Sequence, residues 1–291
     1  MGLIQTVAWA ALAVAAGAVA VGAWTSAADR RLAARVAAEL ASGTVAPDRY
    51  DPAMVDDLPE VARRYFAAAI APGTPLHRIV HLEMEGTFLL NGREMPMRAS
   101  QVLAPPEGFV WQARVGRSPL AFSGSDGWRA GETSWTRFWL AGVVPLARVG
   151  GTEDHARAAA ARGLIEAIWA PAALLPAAGA EWRELAADVA EVRFPGVAGV
   201  EPIRLTLDAE GRVTEAVVLR WSDANPDGIY RLQPFGGRMT AHAAQDGFTM
   251  PVEVEVGNMF GTPDWAPFFR ARMTEVRFGP AEGGGRGTLD G

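Results

Sequence analysis

The chain contains no cysteine and no lysine. Without cysteine there is no disulfide framework, no thiolate nucleophile and no Cys-based zinc site. All 27 lysine-plus-arginine positions are arginine. That excludes a Schiff-base lysine, a P-loop lysine and a kinase-type ATP lysine together. A basic field is missing as well. The net charge of -6 argues against a nucleic-acid partner. No motif implies a cofactor. The last absence is local: Met1–Ala28 carries no charged side chain.

That uncharged stretch is the most informative thing present. Its apolar heart, Leu3–Trp24, reaches about 33 Å as a helix, enough for a hydrocarbon core of about 30 Å. Trp24 stands where an interfacial aromatic belongs. The segment predicts a single-pass membrane anchor, the chain's first partner being the bilayer. A cleaved signal peptide and a soluble hydrophobic helix are the alternatives: Ser26-Ala27-Ala28 is a small-residue site, but Met1–Val7 lacks a basic opening. Arg30, Arg31 and Arg35 follow the span, and the positive-inside rule then puts the domain in the cytoplasm. The Ala13-xxx-Gly17 and Ala18-xxx-Gly22 spacings would permit close helix pairing.

The expected organisation is an anchor over 1–28, a juxtamembrane helix and linker over 29–57, one domain over 58–279 and a glycine-rich, disordered tail over 280–291. Pro59–Ile70 reads as a short amphipathic helix and Thr152–Trp169 as a longer one, with Thr152 as its cap. Elsewhere the chain alternates as strands do: Arg78–Leu90, Glu94–Leu103, Phe109–Val115, then a meander from Trp182 to Phe278. Asn91-Gly92 and Asp246-Gly247 signal hairpins, Trp128–Leu140 predicts a hairpin around Gly131, and Ser123–Gly127 reads as a polar turn. The fold class is mainly β (α+β): one large curved antiparallel sheet, a half-open barrel, with one or two helices on its concave face.

Few residues offer chemistry. His81, Glu83 and Glu85 alternate on one strand face and form a weak metal-ligand set, against the plainer reading of a solvated face. Glu253 and Glu255 stand ready to pair across strands with Arg270 and Arg272. Neither the Ser123–Gly127 run nor the Gly236-Gly237 pair has the context of a nucleophile elbow or a phosphate loop. The ten tryptophans are more telling. They either fill a large core or line an apolar cavity, and Phe88, Trp111, Trp139, Trp221 and Phe235 are the candidate ligand-binding set.

The run LPEVARRYFAAAIAPGTPLHRIVHLEMEGTF (Leu58–Phe88), followed by PPEGFVWQARV (Pro105–Val115), APAALLP (Ala170–Pro176) and PFGGRM (Pro234–Met239), resembles a bacterial family of unknown function with an N-terminal membrane segment. The strand-helix-strand plan is similar to the envelope lipoprotein carriers of the LolA/LolB kind. That similarity implies a half-open barrel cradling acyl chains and an extracytoplasmic domain, opposite to the side given by the arginines. The leading expectation is non-enzymatic binding of a lipid or lipidated ligand. The rivals are a fully packed interaction module and a hydrolase using His81 with Glu83 or Glu85.

Overall fold

The computed structural model describes residues 3–42, 48–90, 92–118 and 121–280. Asn91 of the first expected hairpin, part of the expected linker and the 281–291 tail lie outside the described residues. Helix α1 runs unbroken over Leu3–Ala41. The expected anchor and juxtamembrane helix are therefore one rod. Among the described residues it is the one helix long and apolar enough to cross a membrane. Its amino-terminal part stands clear of the protein, with Trp9 and Trp24 exposed.

From Ser26 onward one stripe of α1 is buried: Ser26, Asp29, Ala33, Val36 and Leu40. Steps of three and four residues place all five on one helical face. That face lies on the convex side of the sheet, where Ala33, Val36 and Leu40 pack with Ile79, Ala104, Val110 and Trp135. Gly22 meets the domain too: a Cβ there would lie 2.1 Å from the Val143 carbonyl oxygen. The small residue read as a helix-pairing signal serves close approach to the chain's own domain.

Among the described residues thirteen strands follow: β1 Val80–Leu90, β2 Arg93–Ala104, β3 Gly108–Val115, β4 Phe122–Arg129, β5 Thr133–Leu140, β6 Val144–Gly150, β7 Glu181–Ala186, β8 Val189–Arg193, β9 Ile203–Leu207, β10 Val213–Ser222, β11 Arg231–Gln245, β12 Phe248–Asn258 and β13 Ala266–Phe278. They form one antiparallel sheet in the order β6-β5-β4-β3-β2-β1-β13-β12-β11-β10-β9-β8-β7. The first and last strands thus pair at its centre, Val80 opposite Phe278 and Phe88 opposite Phe269. The outer strands β6 and β7 are the two edges, and the sheet is a half-open barrel. The chain between those edges crosses the concave face as α3 (Glu153–Ile165) and short 3-10 turns at Glu166–Trp169, Pro171–Leu174 and Pro176–Ala178.

Thr152 caps α3, accepting from the His155 backbone N–H at 3.2 Å. Its alanines pack without bulk against the sheet, and Leu164, Ile168, Trp169 and Leu174 join the main core. Helix α2 (Glu60–Ala69) adds Val61, Tyr65 and Phe66 to the same core, as do Tyr50 and Val55 from the segment before it.

Ser123–Gly127 is not a turn but the middle of β4. Its glycines are there for close approach rather than reversal. A Cβ on Gly124 would lie 2.0 Å from the Arg137 carbonyl oxygen, and one on Gly127 2.4 Å from the Trp135 ring. The hairpin around Gly131 forms as read, and β6 adds an edge strand that the sequence pattern did not signal. The charge ladder forms in register, Glu253 opposite Arg272 and Glu255 opposite Arg270. Arg270 binds Glu255 at 2.7 Å and Glu94 at 2.5 Å.

Candidate functional site

The plug fills only part of the concave face. Beside it lies a cavity of about 450 Å³, within the range of about 300–1,000 Å³ usual for small-molecule sites. Alternation along the strands supplies most of its walls: Met84, Phe88 and Leu90 from β1, Trp111 and Val115 from β3 and Phe138 from β5. On β13 a break in the register opposite Val256 and Gly257 lets the adjacent Phe268 and Phe269 both line it. Phe235 and Met239 come from β11, while Ile165, Ile168 and Trp169 of the plug close one end. Gly236 and Gly237 line it as well. Side chains there would strike the carbonyl oxygens of Ala216 and Glu255, so this wall is bare backbone.

The rings are arranged as two connected sets. Trp111 lies 6.1 Å from Phe138 and 6.2 Å from Phe269. Phe268 lies 5.6 Å from Phe88 and 6.4 Å from Phe235. Such spacings are ordinary for edge-to-face and offset ring packing. They make a smooth apolar lining with few hydrogen-bonding demands.

Polar groups gather where α3 meets the sheet. Arg162 bonds Asp126 of β4 and, at 2.9 Å, Glu166; Gln101 Nε2 donates to Glu166 at 2.7 Å. Asp126 also accepts from Thr136 at 2.5 Å. His155 continues the chain, its ring 3.2 Å from Thr136 Oγ1 and 2.9 Å from Ser134 Oγ. Burial would lower Arg162, but the charges of Glu166 and Asp126 outweigh it and hold the guanidinium above its ordinary value. Each buried charge is therefore matched, which is the condition for tolerating it.

Arg220 of β10 differs. It lines the cavity, its Nε donates to the Ala158 carbonyl at 2.9 Å, and its guanidinium lies 4.8 Å from the Phe235 ring centre. No carboxylate pairs with it among the described residues. Burial lowers its pKa, with Asp126 opposing and Arg162 adding to the fall. Its remaining N–H groups can serve an acceptor on a ligand.

Of the five expected lining residues, Phe88, Trp111 and Phe235 stand around this cavity. Trp139 does not. On β5, Ser134, Thr136 and Phe138 face inward, so Trp135, Arg137 and Trp139 face α1. Trp139 Nε1 donates to Asp29 at 3.1 Å. Trp221 is also outside the lining: its indole donates to Asp154 at 2.7 Å, beneath Arg157 and stacked on Tyr230. The parts sequence reasoning missed are Arg162, Glu166, Gln101 and Arg220, whose polar character hid them among apolar inward positions.

His81, Glu83 and Glu85 lie on the opposite, convex face. His81 Nε2 donates to the Gly279 carbonyl at 3.1 Å, and Glu85 lies 3.7 Å from Arg98. Burial, with Arg277 beside it, pushes the His81 ring down to about 4. Burial and Glu275 raise Glu83. Among the described residues no cluster of three or more His, Cys, Asp or Glu is disposed to hold a metal. The Ser134–His155 pair has the reach of a nucleophile and base. Yet Ser134 is buried and absent from the cavity lining.

Residues 48–271 match the model of DUF6544, a family of unknown function. No curated protein sequence matches the chain. Among solved structures, a LolA superfamily protein from Nitrosomonas europaea is 12% identical with a TM-score of 0.38, covering 74% of this chain and 90% of its own. A DUF1329 family protein from Desulfovibrio piger is 9% identical with a TM-score of 0.41, covering 79% and 94%.

Proposed function

The chain belongs to that family of unknown function, and from its geometry we propose that it is a membrane-tethered, non-enzymatic binder of an acyl-chain ligand. Leu3–Trp24 is the tether. The observation that carries the reading is the cavity itself: about 450 Å³ of space walled by aromatic and aliphatic side chains. A fully packed interaction module would leave no such space. The ligand's hydrocarbon lies along Phe88, Trp111, Phe235 and Phe268, and Arg220 serves a hydrogen-bond acceptor at its polar end. An alkyl chain needs no hydrogen bonds from those walls, so the site selects for length and bulk more than for detail.

Native mass spectrometry of the full chain tests this. The wild type is expected to retain about one acyl lipid per chain. Ala147, half-buried on the wall, is the place to block the space. Ala147→Trp is expected to fly without lipid while keeping its fold. Wild type and variant both empty would overturn the reading.

A further inference from the structure

The direction of α1 relative to the cavity carries a consequence for how a ligand gets in. Following α1 from its carboxyl end, Arg35 bonds Glu132 in the β4–β5 turn, at the plugged end of the sheet. Asp29 then bonds Arg137 and Arg148 further along β5 and β6. Gly22 finally touches Val143, in the β5–β6 turn at the opposite end. Beyond that point the helix extends alone for about 28 Å. The strand ends at this level include Leu90, Phe122, Leu146 and Phe268, all on the cavity wall. Leu90 and Leu146 are exposed there, as are Leu89 and Val144. The cavity's mouth and the free part of α1 therefore leave the domain at the same end.

We propose that this rim docks on the surface of the bilayer that holds Leu3–Trp24, so that the ligand passes between membrane and cavity without crossing water. The proposal rests on the reading of Leu3–Trp24 as a membrane span and of the cavity as an acyl-chain site. Two observations fix the occupant as a lipid surface. First, the contact of Gly22 with Val143 sets the β5–β6 turn at the depth of Trp24, where headgroups begin. Exposed Val144 and Leu146 then meet the interface rather than bulk water.

Second, among the described residues the rim nearest α1 carries unpaired arginines, while its carboxylate Glu94 is taken up by Arg270. Arg93 and Arg117 are exposed beside the β1–β2 and β3–β4 turns, with Arg30 and Arg31 on α1 itself. Among the described residues neither Arg93 nor Arg117 has a carboxylate partner. Asp223, Asp227 and Asp264 stand instead in the β10–β11 and β12–β13 connections, further along the sheet. The chain thus offers arginines to anionic headgroups on the side where its anchor holds it, an arrangement that draws a basic surface onto such a leaflet.

The absence of native cysteine makes the test direct. The full chain, carrying a single Val144→Cys, Leu89→Cys or Ala209→Cys substitution labelled with an environment-sensitive fluorophore, is reconstituted into vesicles of phosphatidylcholine and phosphatidylglycerol. Ala209 is exposed in the β9–β10 turn, at the plugged end. Labels at 144 and 89 are expected to emit blue-shifted and to be quenched several-fold more by nitroxide lipids than the label at 209. That label should answer to aqueous iodide. Adding Arg93→Glu with Arg117→Glu should roughly halve lipid quenching at 144. Labels at 144 and 89 as open to iodide as the one at 209 would overturn the proposal, even if lipid co-purifies with the chain. Labels in the bilayer over an empty cavity would uphold docking and defeat the binding reading instead.

Discussion

Asp29 of α1 is 3% exposed and holds Arg137, from the convex side of β5, as its ion-pair partner. Arg148 at 3.2 Å and the Trp139 indole at 3.1 Å complete its environment. Burial alone would raise this carboxyl, but the bonds from Arg148 and Arg137 outweigh that and hold it below the usual carboxylate range. The pair fixes the rotation and height of the long apolar helix against the sheet.

Asp29→Ala should therefore destabilise the domain by about 3 kcal/mol, because it leaves a largely covered guanidinium and an indole N–H without their acceptor. Chemical denaturation of the full chain in detergent would measure it. Asp29→Asn keeps one acceptor for Trp139 and should lose less. A loss near zero for the alanine variant would mean that the helix is not held in this way.

The two faces of the sheet separate binding from stability. Phe88→Ala and Phe235→Ala should weaken binding of a fluorescent fatty acid by roughly tenfold or more, burial of a large apolar side chain being worth about 1.5–3 kcal/mol. Trp139→Phe should leave that affinity unchanged. It should cost about 1 kcal/mol of stability through the lost bond to Asp29. Titration of the three variants with one probe decides the matter.

Arg162→Met should be among the most damaging single changes at the plug. It leaves the largely covered carboxylates of Asp126 and Glu166 without their cation, at about 3 kcal/mol. Adding Asp126→Asn and Glu166→Gln to the same chain should restore much of that loss. Thermal unfolding of the single and triple variants would show whether the network is there to neutralise charge or merely to fill space.

Acidification should destabilise the protein through its histidines. His77, His81, His155 and His242 are all lowered, burial being the first cause in each. The unfolded chain binds these protons near the usual 6.5, whereas His81 in the folded state waits until about 4. The stability tied to a neutral His81 is thus complete above about pH 6.5 and is lost as the pH falls toward 4. Melting temperature should drop between about pH 7 and pH 5, and His81→Asn should flatten that drop.

If Leu3–Trp24 spans a membrane, Arg30 and Arg31 behind it favour the cytoplasmic side for the domain. A fluorescent-protein fusion at the carboxyl end should then glow, and an alkaline-phosphatase fusion should be inactive. The reverse pattern would put the domain outside.

Much of this architecture is legible in the alternation of the strands. Val80, Leu82 and Met84 against His81, Glu83 and Glu85 is a pattern with one solution once one face is buried. The capped helix after Thr152 and the uncharged leader are local signals and survive without tertiary information. What could not be read depends on partners distant in the chain. Asp29 looks like a solvated charge until Arg137 and Arg148 are brought to it. The spacing of Ser26, Asp29, Ala33, Val36 and Leu40 is the one hint that this helix has a buried side. Trp135 and Trp139 reveal an outward set on β5 only when α1 covers them. Gly124 and Gly127 resemble turn residues because the close approaches that demand them are supplied by a neighbouring strand.

The pairing of the first strand with the last has a temporal consequence. Val80 and Phe278 are adjacent in space but lie nearly the whole domain apart in sequence. Contacts of that span form slowly, because a long segment must be ordered before they reward it. During synthesis β1 would wait, one edge open, until β13 has left the ribosome. Until then the concave face lacks its central seam and the apolar residues of both halves stand uncovered. If Leu3–Trp24 spans a membrane, the chain would complete its folding there, its two sheet halves closing beside the bilayer.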